Sequence, residues 1–138
     1  MFNYKDAASA VFALIGTWIS QIYGGWIPSM TALLVVIAAD VVTGVLCGMA
    51  KKSPKTSSGG LSSKVMREGA VKKVEIFIII LVAAWFDIAM ETTVWKEAAC
   101  LYYIAEEALS IIENAGALGV PVPKKLKDAI EALKSEDK

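Results

Sequence analysis

The chain has 138 residues, 56% of them hydrophobic, with 14 Lys and Arg residues balanced by 14 Asp and Glu residues. Its mean hydropathy of +0.54 exceeds what an ordinary soluble domain of this size carries, so one small membrane domain over residues 1–138 is expected. The neutral total and a mostly acidic second half disfavour nucleic-acid binding, and a chain without histidine or any nucleophile–base pair offers no catalytic residue, cofactor or metal site.

The first apolar segment, residues 7–50, contains a single charged side chain, Asp40. A bilayer core is about 30 Å thick, so a spanning helix needs roughly 20 mostly apolar residues. Two glycines and Pro28 interrupt the segment at residues 24–29, where one helix can end and another can begin. The sequence therefore predicts a hairpin of two spans, about 8–24 and 27–50.

The next segment, residues 51–73, is basic and rich in turn-forming residues. Its cations are Lys51, Lys52, Lys55, Lys64, Arg67, Lys72 and Lys73, and its only acid is Glu68. Short basic loops stay on the cytoplasmic side of a membrane. We therefore expect a cytoplasmic loop over residues 51–73 that sets the topology.

A third span is predicted at residues 74–90, and a fourth helix at residues 94–114. Charged residues make the fourth helix costly in lipid. Either it crosses, which places both termini in the cytoplasm, or it lies on the surface or packs inside an oligomer without crossing, which places the C-terminus outside. Its acidic face, which includes Glu106 and Glu113, is either solvated or lines water inside an assembly.

The last segment, residues 124–138, has apolar side chains at helical spacing: Leu126, Ala129, Ile130 and Leu133. It predicts a short amphipathic helix that docks on the protein or on the membrane. The expected fold is thus all-α: membrane helical hairpins with three spans, a fourth amphipathic helix that spans or lies at the surface, and this C-terminal helix.

The first two predicted spans each have one small, polar face. In the first span it comprises Ser9, Ala13, Thr17, Ser20 and Gln21; in the second it comprises Asp40, Thr43, Gly44 and Gly48. Small residues permit close helix contacts, so these faces are predicted to form an assembly face or to line a pore. The glycine pair serves packing either within the hairpin or between subunits.

Asp40 requires an explanation of its own, because a carboxylate near the bilayer centre costs about 2.5–3.5 kcal/mol on insertion scales. It must be paired, protonated or hydrated. Three interpretations remain open: an acid hydrogen-bonded inside the bundle, for example to Thr43; an acid that lines a pore; or a proton-relay site.

Several motifs together resemble a known family. They are Asp40-Val41-Val42-Thr43-Gly44, a Lys/Ser-rich loop with Gly60-Leu61 and Lys64, an apolar span directly after Lys72-Lys73, and a tail with Asn114, Gly119-Val120-Pro121-Val122-Pro123 and Leu126. The chain resembles the phage lysis and toxin-secretion holins of Gram-positive bacteria and their phages.

The resemblance implies a multi-pass protein of the host bacterial cytoplasmic membrane. Such a protein is expected to form a large homo-oligomer in the bilayer and to open lesions that release an endolysin or a toxin, without direct contact to that cargo. The cations Lys124, Lys125 and Lys127 would then be able to regulate lysis timing. Two other functions remain open: a small ion or proton channel or transporter subunit, and a structural membrane adaptor.

Overall fold

The computed structural model describes residues 3–136, except the side chains of residues 133, 134 and 136. This part of the chain contains five helices and no strand: α1 (Tyr4–Ile22), α2 (Pro28–Met49), α3 (Ser63–Met90), α4 (Val94–Ala117) and α5 (Lys124–Glu136). The prediction of an all-α fold is confirmed. The predicted apolar contribution of Leu133 to α5 lies outside the described residues.

The break between α1 and α2 lies where the sequence predicts it. Gly24 and Gly25 have φ angles of +66° and +98°, a conformation that glycine adopts without steric cost. Pro28 occupies the first turn of α2, where its missing N–H removes no helical hydrogen bond. The chain therefore reverses sharply over residues 23–27.

Helix α3 begins at Ser63 and not at residue 74, so only residues 51–62 of the basic segment form a loop. The Ser62 side chain accepts a hydrogen bond from the Val65 backbone N–H, which caps the helix N-terminus. The residues that follow are mostly good helix formers. The charges of residues 64–73 limit the predicted membrane span, but charge does not end a helix, so α3 begins before the span does.

Helix α4 lies between α2 and α3 and also contacts α5. It runs parallel to α2, because Ser29 and Glu97 are hydrogen-bonded near the start of both helices and Cys47 and Asn114 near the end. Helix α3 runs in the opposite direction. Lateral contacts of α4 with two neighbours make it the central helix of the bundle.

The apolar core lies in the half of the bundle where α2 and α4 begin. Its buried members, which we call the apolar layer, are Met30, Leu33, Ile76, Ile80 and Cys100. Removing these side chains from water supplies hydrophobic stabilisation of about 25 cal/mol per Å² of apolar surface. The two cysteines, Cys47 and Cys100, are both buried and unpaired by disulfides.

The outer surface is strongly apolar. Phe12 and Trp18 of α1 are 74% and 65% exposed, and Val35 of α2 and Val74 of α3 are 63% and 61% exposed. No residue of α1 between Tyr4 and Ile22 is buried. Such a large exposed apolar surface is typical of a protein that contacts lipid or other subunits.

Within the described residues, α2 is the one helix that is both long and apolar enough to cross a membrane. Helices α1 and α3 do not meet this standard, so the three predicted spans are not confirmed. The multi-pass topology remains a prediction.

Candidate functional site

Four side chains form an ionic cluster that extends from the interior of the bundle to the loop surface: Lys55, Asp40, Lys73 and Glu107. The Lys73 Nζ lies 3.0 Å from Asp40 Oδ2 and 2.8 Å from Glu107 Oε2, while the Lys55 Nζ lies 4.0 Å from Asp40 Oδ1. Asp40 and Glu107 are buried. Two lysines balance two carboxylates in charge, which lowers the cost of burying Asp40 and Glu107.

Three helices and one loop bring this cluster together. Parallel packing places Asp40 of α2 level with Glu107 of α4, and the early start of α3 carries Lys73 between them. Lys55 reaches in from the loop and donates a hydrogen bond of 2.9 Å to Ser110 Oγ. The loop therefore has a fixed contact with the bundle.

A polar network continues from the ionic cluster toward the end of α2. The Thr43 hydroxyl donates to the Asp40 backbone carbonyl at 3.1 Å, and Asn114 Nδ2 donates to Thr43 Oγ1 at 3.0 Å. The Cys47 thiol donates to the Asn114 backbone carbonyl at 3.3 Å. Hydrogen bonds therefore join α2 and α4 in this half of the interior.

Gly44 and Gly48 of the predicted assembly face contact other parts of the same chain. A Cβ at Gly44 would lie 3.8 Å from Asn114 Nδ2, and a Cβ at Gly48 would overlap the side chain of Leu61. The two glycines thus leave room for α4 and the loop to pack against α2. In this structure their face packs inside the chain, against elements outside the α1–α2 hairpin.

The polar stripe of α1 does not join this site. Ser9, Ala13, Thr17 and Gln21 are exposed, and Ser20 is partly buried. The hydroxyls of Ser9 and Thr17 donate to the backbone carbonyls of Lys5 and Ala13, at 2.9 and 2.8 Å. Both hydroxyls are therefore satisfied within their own helix.

The acidic face predicted for α4 lies beside the ionic cluster and not within it. Glu106 is partly buried and accepts a hydrogen bond from the Tyr102 hydroxyl at 3.3 Å, while Glu113 is exposed. The acid that the structure buries is Glu107. The prediction of an acidic face did not include this residue.

A repeat spacing could have identified Glu107. Leu33, Asp40 and Cys47 are spaced seven residues apart on α2, and Cys100, Glu107 and Asn114 have the same spacing on α4; all six are buried. A seven-residue repeat marks the seam between two packed helices. It indicates that Glu107 faces Asp40.

The basic residues predicted to set the topology divide into two groups. Lys73 and Lys55 join the ionic cluster. The others lie outside the cluster and, like Lys55, are exposed: Lys51, Lys52, Lys64, Arg67 and Lys72. Lys64 lies 3.9 Å from Glu68 in an exposed pair, which contributes little to stability.

A second polar group lies at the opposite end of the bundle. Asp87 accepts hydrogen bonds from the Thr92 hydroxyl and from the backbone N–H groups of Trp95 and Lys96, at 2.7, 3.0 and 2.9 Å. Asp87 thus caps the N-terminus of α4 from the preceding helix. No group of three Cys, Asp or Glu side chains in the described part of the chain is placed to hold a metal ion.

The buried Lys96 fastens the turn between α1 and α2 to the start of α4. Its ammonium group donates to the backbone carbonyls of Tyr23 and Gly25, at 2.9 Å each, and the Tyr23 hydroxyl donates to the Phe77 carbonyl at 2.9 Å. The turn is therefore anchored to both α3 and α4, although α1 itself extends away unburied.

Comparison with known proteins gives a consistent result. The sequence model of the bacteriophage holin family matches residues 17–135. A 14.9 kDa protein in the nagH 3′ region of Clostridium perfringens is 36% identical over 124 residues, which cover 88% of this chain and 89% of that protein. A probable holin of Bacillus phage phi105 is 30% identical over 114 residues, 82% of this chain and 79% of that protein. No solved structure matches the chain.

Proposed function

Since the chain belongs to the bacteriophage holin family, we propose that it assembles with copies of itself in the host cytoplasmic membrane and opens lesions that release an endolysin or a toxin. Family membership makes it a membrane protein without enzymatic activity. Its cargo needs no direct contact with it, because a lesion acts by letting proteins pass.

One observation carries this proposal: the bundle has a largely apolar outer surface and keeps an ionic cluster in one half of its interior. The outward side chains of α2, and of α3 from Val74 onward, are mostly large and apolar, whereas Asp40, Lys73 and Glu107 meet in the interior. Charges buried in pairs cost far less in a membrane than charges that face lipid. This distribution supports a bundle immersed in lipid.

The position of α4 supports a crossing by the fourth predicted helix. The Ser29–Glu97 contact lies near the start of both helices and the Cys47–Asn114 contact lies near their end, so α4 runs beside α2 along its whole length. Helix α4 therefore crosses the bilayer wherever α2 does. With α1 and α3 as further crossings, the chain has four spans, an even number. Both termini then lie in the cytoplasm with the basic loop, and residues 1–138 form one membrane domain.

The proposed mechanism uses two packings of the same helices. In the sealed protein the polar face of α2, with Asp40, Thr43, Gly44 and Gly48, packs against α4 and the loop. In the assembly, rearranged subunits turn this face and the α1 stripe toward water while the apolar faces stay in lipid. A ring of such subunits lines a lesion.

Expression in bacteria with and without a cytoplasmic endolysin tests the function. We expect abrupt lysis only when both proteins are present. Ion flux without protein release would instead support a channel. The absence of both lysis and ion flux would support an adaptor. Measuring membrane potential and culture density in the same cells separates the three outcomes.

Single-cysteine variants test which residues line the lesion. They are made in a chain whose native Cys47 and Cys100 are replaced by alanine. Positions 9, 13, 17, 20 and 21 lie on the α1 stripe, and Phe12 and Ile15 supply control positions on its apolar side. After triggering, an impermeant thiol reagent should label the stripe and spare the controls. Uniform protection of the stripe rejects its role in the lining.

A further inference from the structure

The interior of the bundle changes from polar to apolar and back to polar along its length. At the end where α2 begins, the Ser29 hydroxyl donates to Glu97 at 2.9 Å. The apolar layer defined above follows, with Leu33 and Ile80 fully buried at its centre. Toward the loop, the ionic cluster and the Thr43–Asn114 hydrogen bond make the interior polar again.

The polar half adjoins solvent at the loop end. Lys55, whose side chain is 42% exposed, lies beside both Asp40 and Ser110. From Asp40 to the last residue of α2 the helix rises about 14 Å, at 1.5 Å per residue. Polar side chains therefore extend from the loop surface deep into the bundle.

Two buried oxygen atoms in this half lack a donor among the described residues. Asp40 Oδ1 and Asn114 Oδ1 are inaccessible to solvent, and although Ser110 and Lys55 face Asp40, no donor reaches either oxygen within hydrogen-bonding distance. Buried polar atoms nearly always have a partner, and internal water commonly supplies it. Both oxygens lie in the polar half, on the loop side of the apolar layer.

We propose that the sealed protein is a half-channel: water reaches Asp40 from the loop end, and the apolar layer is the seal that stops ions and protons. Apolar constrictions exclude water and so block ions even where their width would allow passage. Met30, Leu33, Ile76, Ile80 and Cys100 have this character in the described core. The inference rests on the proposed function, since it takes α2, α3 and α4 to cross the bilayer.

The test uses the full chain in potassium-loaded lipid vesicles, at a protein density low enough that trapped calcein is retained. Proton influx is followed with an internal pH dye after addition of valinomycin. The double variant Leu33→Ser/Ile80→Ser brings hydroxyls into the seal. The matched variant Leu33→Ala/Ile80→Ala removes nearly the same volume but keeps the layer apolar, and apolar cavities stay dry.

We expect the serine variant to raise proton influx several-fold over the wild type and over the alanine variant, with calcein still retained. A second control, Leu34→Ser/Ile79→Ser, changes neighbouring side chains that are exposed on the outer surface. This control should leave the influx at the wild-type rate. Equal leakage in the serine and alanine variants would point to lost packing and would overturn the proposed seal.

A serine variant as tight as the wild type would also overturn the inference. The endolysin assay is independent of this result, because it measures protein release after assembly and not proton influx at low density. If the wild-type chain lyses cells but the serine variant shows no proton leak, the holin function is supported and the proposed seal is rejected. The reverse pattern keeps the seal and rejects lesion formation.

Discussion

Asp40 and Glu107 accept hydrogen bonds from the same ammonium group, that of Lys73, at 3.0 and 2.8 Å. The two carboxylates belong to parallel helices and are both buried. Without the lysine they would repel each other at close range in a medium that screens charge weakly. The Lys73 side chain of α3 therefore helps α2 and α4 to pack at this level.

Replacing Lys73 with methionine should strongly destabilise the folded chain. The substitution leaves two buried carboxylates without their shared cation, and breaking a buried ion pair from one side typically costs about 3–5 kcal/mol. The free energy of unfolding, measured by denaturant titration of helix content in detergent micelles, should fall by that amount.

Two variants serve as controls for this prediction. Lys64→Met removes an exposed partner of Glu68 and should cost no more than about 1 kcal/mol. The triple variant Asp40→Asn/Lys73→Met/Glu107→Gln removes all three charges and should recover most of the loss. If Lys73→Met were as mild as Lys64→Met, the cluster would not hold the helices together.

Gly48→Ala should destabilise the chain, because the added Cβ would overlap the Leu61 side chain and crowd the Leu61 backbone N at 3.3 Å. Overpacking of this kind costs about 1–3 kcal/mol. Gly16→Ala on α1 is the matched control, since nothing lies within 4 Å of its Cβ position. There alanine should stabilise the helix by up to about 1 kcal/mol.

The Leu61→Ala background tests the contact directly. If Leu61 causes the loss, Gly48→Ala should cost much less in this background, with a coupling energy of about 0.5–3 kcal/mol. The same unfolding titration measures all four variants of the cycle. Additive effects would show that Gly48 is required for a different contact.

Asp87→Ala should weaken the start of α4. The substitution leaves the backbone N–H groups of Trp95 and Lys96 and the Thr92 hydroxyl without their acceptor. We expect a loss of about 1–3 kcal/mol in the free energy of unfolding. Asp6→Ala, in the exposed first turn of α1, should cost under about 1 kcal/mol; equal losses would argue against capping by Asp87.

The sequence predicts local features of this fold well. The glycines and Pro28 locate the turn between α1 and α2, and helical phase places Asp40, Thr43, Gly44 and Gly48 on one face. These inferences use neighbours within a few turns of one helix. Such contacts follow directly from the 3.6-residue period.

Long-range partners could not be predicted in the same way. Lys73 lies 33 residues from Asp40 and 34 from Glu107, and its charge suggested a solvated loop instead of a buried cluster. The close approach of Leu61 to Gly48 likewise depends on how the loop folds back. Helical phase identifies a face, but only the packing of the whole chain identifies what covers that face.

The α1 hydroxyls allow the sealed and assembled states to be distinguished by mutation. In the structure Ser9 and Thr17 are exposed and donate to carbonyls of their own helix, so Ser9→Ala/Thr17→Val removes no contact with another helix. The free energy of unfolding should change by no more than about 0.5 kcal/mol, as for most surface substitutions. Lysis with endolysin should nevertheless be delayed, because a lesion lined by this stripe would lose polar groups that face water.

Val11→Ala/Ile15→Val, on the opposite side of α1, supplies the control, and lysis onset is read from culture density. Unchanged onset in the Ser9/Thr17 variant would remove α1 from the proposed lining and leave the α2 face as its remaining candidate.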